Sequence, residues 1–297
     1  MMRKTTVAGC VTALVAMSLT GCAGGDLAGD EISLEQALAM VSADAVSDDD
    51  TVRFPTVSFA HVAELDDHEK WDVSISIAVS GGPVAEAPER VGFDYEAAEF
   101  AISTAGSHRG SLVSLLAGGQ DADRIRDSLS ELGYSGSDEL TAPAGSAIES
   151  WAAQVRPDGD RVFVGGPEAN FDHINPTLAP EDSLLYVWNT DEVIDCLGDQ
   201  PLVQLSQWKD HEDESVLGVA ATSGETNDTV TVCAEGDVAI GNQIAQSLTS
   251  NEPMPSAYED ANVEVVGDLV RVTFKLHPDI VPAGAVAMVP QLLPSLG

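Results

Sequence analysis

The chain has few basic residues for its length. Of its 297 residues, 13 are Lys or Arg and 49 are Asp or Glu, which gives a formal net charge of −36. Proteins that bind nucleic acids neutralise phosphates with clustered Lys and Arg, so we expect no nucleic-acid partner. The same acidity keeps a protein soluble and favours a monomer.

Long apolar runs and catalytic motifs are also missing. No segment offers the roughly 20 apolar residues of a membrane-spanning helix. The sequence contains no G-x-S-x-G, H-E-x-x-H, P-loop, EF-hand or dinucleotide-binding motif, so we predict no metal or cofactor. Ser206–Lys209 matches the S-x-x-K motif of penicillin-binding enzymes, but their S-D-N and K-T-G elements are absent. The acidic runs with histidine at 66–69 and 211–214 favour solvated loops over zinc ligands, because adjacent residues seldom converge.

The N-terminus carries the most specific signal in the chain. Met1–Lys4 is basic, and an uncharged stretch of 13 residues follows from Val7 to Leu19, which is typical of a secretory signal peptide. It ends in Leu19-Thr20-Gly21-Cys22, which resembles the lipobox of bacterial lipoprotein precursors. That resemblance implies that residues 1–21 are removed and that the Cys22 thiol carries a diacylglyceryl group. A plain secretory leader and an uncleaved anchor are the alternatives.

Lipidation of Cys22 would make the membrane a partner of the protein. Two or more acyl chains bury enough methylene groups for durable attachment. We therefore expect the protein at the extracytoplasmic face of the cell membrane, with residues 22–32 as a flexible tether. Loss of Arg3 and Lys4 with the leader leaves 49 acidic and 11 basic side chains, a balance of −38.

Two cysteines remain once Cys10 leaves with the leader and Cys22 carries lipid. They are Cys196 and Cys233, and an oxidising compartment favours a disulfide between them. That bond would close a loop of 36 residues and restrict the unfolded chain by about 3–4 kcal/mol in the entropic model. Two buried thiols are the alternative, while a redox pair lacks Cys-x-x-Cys spacing.

The apolar pattern predicts an α+β fold of antiparallel sheets with helices on one face. Ser33–Gln36 has the form of a capping box and opens a helix to about Val46, and a second helix is predicted over Val57–Leu65. An order of two strands, a helix and a hairpin then occurs twice, which allows two structurally similar subdomains. In the first copy the strands are 99–103 and 111–116, the helix is 121–132, and the hairpin is 151–155 with 161–164. In the second copy the strands are 216–221 and 229–233, the helix is 238–248, and the hairpin is 263–266 with 270–276.

The resulting organisation has six parts. They are the signal peptide 1–21, the tether 22–32, an N-terminal helix and strand segment 33–88, a first subdomain 89–166, a helical connection 167–210 and a second subdomain 211–297. The strand–helix order and the helix ending Gly133-Tyr134 resemble uncharacterised actinobacterial lipoproteins, a resemblance that implies no function.

Three functions remain open at this point. The first is a lipid-anchored, non-catalytic protein that binds a small molecule or another protein at the cell envelope. The second is a carrier of apolar ligands such as lipids, which predicts a cavity between sheet and helices. The third is a hydrolase whose active-site residues are dispersed along the chain.

Overall fold

The structure is a computed structural model that describes residues 32–46, 56–65, 91–105, 111–146, 152–188, 190–210, 213–223, 228–250 and 257–293. The predicted signal peptide, Cys22, most of the tether, the acidic run 66–69 and the last part of the predicted N-terminal segment, residues 66–88, lie outside these residues. The bounds of those segments therefore stay predictions.

An antiparallel sheet of twelve strands organises the described part of the chain. Its spatial order is β11-β12-β10-β9-β8-β1-β2-β3-β7-β6-β5-β4, and every pairing is antiparallel. The strands are β1 Thr56–Ala60, β2 Phe100–Ala105, β3 Val113–Ala117, β4 Ser135–Gly136, β5 Leu140–Thr141, β6 Gln154–Asp158, β7 Arg161–Gly165, β8 Leu202–Asp210, β9 Asp213–Thr222, β10 Thr229–Glu235, β11 Tyr258–Val266 and β12 Leu269–Leu276.

Helices cover both faces of this sheet. The helices are α1 Leu34–Ala39, α2 Ala122–Glu131, α3 Leu184–Val187, α4 Asp191–Leu197, α5 Val238–Ser250 and α6 Pro282–Leu292. One hydrophobic core lies between α2, α5, α6 and what we call the first face. A second core lies between α1, α3, α4 and the second face. The predicted α+β class is confirmed. The two helices of the repeated pattern, α2 and α5, do share one face, whereas α1, α3 and α4 lie on the opposite face, where the prediction placed no helices.

The strand order repeats about the centre of the sheet. Outward from β1 the strands run β1, β2, β3, β7 and β6, and outward from β8 they run β8, β9, β10, β12 and β11. In each half the helix, α2 or α5, lies between the third strand and the outer hairpin along the chain. The two predicted subdomains thus contribute to one continuous sheet. They are joined by β1 and β8, which pair with each other and which the prediction placed outside both subdomains.

Two segments differ from the predicted elements. The helix predicted over Val57–Leu65 is wrong: β1 occupies Thr56–Ala60 and is followed by one 3-10 turn, Val62–Glu64. Val57 and Phe59 are buried against the second core and Ala60 against the first, so the segment alternates between faces as a strand does. The last part of the predicted helical connection is also a strand, β8. Its residues contact the cores on both faces of the sheet, as those of β1 do.

Other predicted elements are confirmed with shifted ends. Ser33 accepts a hydrogen bond from the Gln36 amide at 3.2 Å and donates its own amide to Gln36 Oε1 at 2.9 Å, which completes the capping box. Helix α1 nevertheless ends at Ala39, and a 3-10 turn covers Ala43–Val46. The apolar C-terminal segment forms α6, which packs on the first face through Ala285, Val286 and Val289.

Candidate functional site

A cleft of about 410 Å³ opens where three distant segments meet on the second face. The segments are the start of α1, the end of β1 with the turn after it, and the end of α4 with the turn after it. Its described lining residues are Ile32, Ser33, Leu34, Glu35, Phe59, His61, Glu64, Ile194, Asp195, Gly198, Asp199 and Gln200. Clefts of this size bind small molecules or side chains of a partner.

The floor of the cleft is apolar. Ile32, Phe59 and Ile194 are at most 9% exposed and belong to the second core. The ring centroid of Phe59 lies 6.4 Å from that of Phe100 and 6.5 Å from that of His61. Phe59 and His61 are two positions apart at the end of β1, so the alternation of the strand places them on the same face.

The rim of the cleft is acidic. Glu35, Glu64, Asp195 and Asp199 are exposed lining residues, and the described lining contains no Lys or Arg. His61 is 13% exposed, and its Nδ1 lies 3.3 Å from Glu64 Oε1. The four carboxylates give the cleft a negative potential, which solvent and salt partly screen because the groups are exposed.

The end of α4 shapes one wall of the cleft. Gly198 adopts φ +72°, a left-handed conformation in which the missing Cβ avoids strain, and its amide donates to Ile194 O at 2.9 Å. The chain then turns towards β8, so Asp195 and Asp199 both lie at the cleft. Gly218 on β9 lets α4 approach closely, because a Cβ at that position would lie 2.5 Å from Val193 Cγ1.

The predicted disulfide fixes the same wall. Cys196 of α4 and Cys233 of β10 are bonded, with their Cα atoms 6.1 Å apart, and both side chains are fully buried. Arg271 Nε donates to Cys196 O at 2.6 Å, which places a cation at the C-terminal end of α4. Three interactions therefore hold α4: the disulfide, this hydrogen bond, and packing over Gly218.

The remaining sequence candidates do not join the cleft. Ser206 and Lys209 both belong to strand β8, and Ser206 is 1% exposed. Residues three positions apart are neighbours on a helix but not on a strand, so these two residues lack the adjacent arrangement that the S-x-x-K motif requires. Among the residues that the structure describes, no three His, Cys, Asp or Glu converge as a metal site requires. None of the described helices is both long and apolar enough to cross a membrane.

A row of polar side chains crosses the centre of the first face. Ser58 pairs with Gln204 on one side and with Ser103 on the other, and Ser103 pairs with Ser114. Ser114 is 1% exposed, and its buried hydroxyl has no hydrogen-bond partner among the described residues. Valines continue the row outward on both sides, starting with Val164 and Val219. The apolar surface of this face is thus interrupted where the two halves meet.

The sequence pattern alone does not predict the cleft. Of its lining residues, Ser33 is predicted as a helix cap, and none is predicted to bind a ligand. The acidic and apolar lining residues come from three segments, and in each segment they have the pattern of ordinary surface or core residues. No local motif marks them, because only the pairing of β1 with β8 brings the segments together.

Comparisons with known proteins add little to this description. No protein-family model matches the chain, and no curated protein matches it. A solved structure, crystal form I of TP0453, is similar over 87% of this chain and 98% of its own length. The two chains are 10% identical and superpose with a TM-score of 0.48, a level of similarity that carries no argument about function.

Proposed function

We propose that this chain is a lipid-anchored protein of the extracytoplasmic membrane face that binds a cationic, partly apolar ligand in the cleft. The observation that carries the proposal is the composition of that cleft: a buried apolar floor beneath a rim of four carboxylates. An ammonium or guanidinium group on an aliphatic stem matches both parts, because the stem covers apolar surface while the charge stays at the rim. Such a group occurs on a free amine or on a Lys or Arg side chain of a partner protein.

The position of the cleft supports a role at the membrane. Ile32, which lines the floor, is also the first described residue, and only ten positions separate it from Cys22. A chain spans at most about 3.5 Å per residue, so a lipidated Cys22 would hold the cleft within roughly 35 Å of the bilayer. The buried disulfide also supports export, because structural disulfides persist in oxidising compartments.

A hydrolase receives less support from the same residues. Ser33 and His61 both line the cleft, and Glu64 adjoins His61, so the three residue types of a catalytic triad are near one another. Ser33 Oγ, however, accepts the capping hydrogen bond from Gln36, and no hydrogen bond joins it to His61. A nucleophile needs such a bond to its base. The geometry therefore favours binding over acyl transfer.

The anchor is tested by replacing the thiol. We expect Cys22→Ala to move the protein from the membrane fraction to the soluble fraction, because no lipid can be attached without the thiol. A wild-type chain labelled by radioactive palmitate is the positive control. Unchanged membrane fractionation of Cys22→Ala would refute lipid attachment.

The ligand class is tested by titration at low salt. n-Hexylamine is compared with hexanol and heptanoate, which have the same hexyl stem with no charge or with the opposite charge. A capped Lys-Leu-Lys peptide represents the protein-borne source. We expect hexylamine and the peptide to bind and the other two to bind at least tenfold more weakly. Tighter binding of the peptide would assign the cleft to a partner protein, and tighter binding of the free amine would assign it to a metabolite.

Charge-neutralising variants localise that binding. Each exposed carboxylate contributes about 0.2–1 kcal/mol, so Asp195→Asn with Asp199→Asn should weaken hexylamine about two- to thirtyfold. Asp127→Asn with Asp268→Asn removes the same charge at exposed positions outside the described lining. Equal loss in both double variants would mean that overall charge, and not the cleft, attracts the amine.

A further inference from the structure

A small apolar surface lies beside the start of the described chain. Tyr186 is 71% exposed and Val187 is 54% exposed, and they lie between the half-buried Leu185 and Trp188. We call these four residues the α3 patch. Among the described residues the other exposed large hydrophobic side chains, Val238, Val265 and Val281, are not adjacent to one another in the sequence. A contiguous apolar set that includes Tyr and Trp is typical of a surface that contacts another protein or a membrane.

The fold presents this patch on a fixed support. Leu184, the first residue of α3, is fully buried, and its amide donates to Val41 O at 2.8 Å. Ser42 also forms a β-bridge with Ser183, just before α3. The segment that follows α1 therefore holds α3 in place, and the patch belongs to the same face of the sheet as the cleft.

The geometry points to the interfacial layer of the lipid bilayer as the occupant of the α3 patch, an inference that rests on the proposed lipid anchor. Ile32 is where the tether enters the fold, and Val41 is nine residues further on. That stretch of mostly helical chain covers roughly 14 Å at about 1.5 Å per residue. Because Ile32 is only ten positions from Cys22, the patch lies within reach of the membrane that carries the anchor.

The chemistry of the α3 patch fits this interface. Tyr and Trp are enriched where apolar and wet environments meet, because each has an apolar ring and a polar atom. Glu181, Asp182, Asp191 and Glu192 flank the patch in sequence and are exposed. Anionic lipids would repel these carboxylates, so contact is expected to be strongest on a zwitterionic surface and to recover with salt on an anionic one.

The test places a reporter in the patch and couples the mature chain to vesicles. Cys22 is the free thiol, since Cys196 and Cys233 are bonded. It is joined to a maleimide lipid in phosphatidylcholine brominated along its acyl chains, which quenches nearby tryptophan. Tyr186→Trp is the reporter, made in a chain whose four native tryptophans, including Trp188 of the patch, are replaced by Phe so that only the introduced side chain reports. Val265→Trp on β11 is the matched control. Val265 pairs with Val270 of the first core, so its side chain lies on the first face of the sheet, opposite the patch.

We expect Tyr186→Trp to show at least about twofold more bromolipid quenching than Val265→Trp. Adding anionic phosphatidylglycerol should reduce the difference, and 0.5 M salt should restore it. Val187→Trp is the second reporter if the first variant fails to fold. Equal quenching of the patch and control variants would overturn the inference and leave a protein partner as the occupant. Because the coupling is chemical, this result is independent of whether cells lipidate Cys22.

Discussion

The disulfide offers the sharpest quantitative test of the structure. We expect the double variant Cys196→Ala/Cys233→Ala to lose about 3–4 kcal/mol of unfolding free energy. The two cysteines are 37 positions apart, and a loop of that length costs the unfolded chain about 13 cal/mol/K of entropy, or about 4 kcal/mol at 25 °C. Both side chains are fully buried, so the smaller alanines add a packing loss of the same sign.

Urea unfolding at pH 7 measures this loss. Each variant carries Cys22→Ser so that no free thiol can exchange with the disulfide. The expected change is a fall in the unfolding midpoint, together with a steeper dependence on urea because the unlinked chain exposes more surface when it unfolds. Domain stabilities are typically about 5–15 kcal/mol, so the change is large enough to measure reliably. A loss below about 1 kcal/mol would refute the loop-entropy reasoning.

Two further predictions concern packing and pH. Gly218→Ala should destabilise the fold by about 1–3 kcal/mol and weaken hexylamine binding, since its methyl group would lie 2.5 Å from Val193 in α4. The control Gly284→Ala lies in open space within α6 and should instead raise the free energy of unfolding by about 0.4–1 kcal/mol. Urea unfolding measures both changes. His173 has a lowered pKa because burial disfavours its charged form, although Asp44 and Asp172 oppose the shift. Its unfolded form therefore takes up a proton first, so stability present above pH 6.5 should be lost as the pH falls below that value. Unfolding measured from pH 7.5 to 5 should show this fall, and His173→Gln should reduce it; an unchanged slope would contradict the role of His173.

Much of the sheet could be predicted from sequence because its strands carry local signals. The hairpin β11–β12 alternates apolar and polar residues around a Gly267 turn, and helix α2 begins at an Asp121 cap that accepts from two backbone amides. The disulfide followed from counting cysteines. Strand β1 was assigned to a helix because its run Thr56–Ala60 is short and both faces are covered, which removes the alternation that marks a half-buried strand.

The cleft could not be predicted, for a different physical reason. Glu35 and Asp195 have the spacing and polarity of ordinary exposed helix residues, and Phe59 and Ile194 look like core residues, which they also are. Their joint role depends on the central pairing of β1 with β8, a contact between segments about 145 positions apart. Such long-range pairing is decided by the burial of the whole sheet, and local propensity does not report it.

The two halves of the sheet differ most where binding is proposed. The shared strand order places α2 and α5 on the first face, and there the halves have similar architecture. The cleft and the α3 patch lie on the second face, built by α1, α3 and α4, which lie before the first repeat or between the two. The strands of both halves form one continuous sheet, so a change that disturbs their pairing costs stability, whereas a segment outside the repeated order can change without disturbing that pairing. The non-repeated helices are therefore where a specific ligand or membrane contact can arise, and substitutions at exposed positions of α1, α3 or α4 should alter binding at a smaller cost in stability than substitutions in the paired strands.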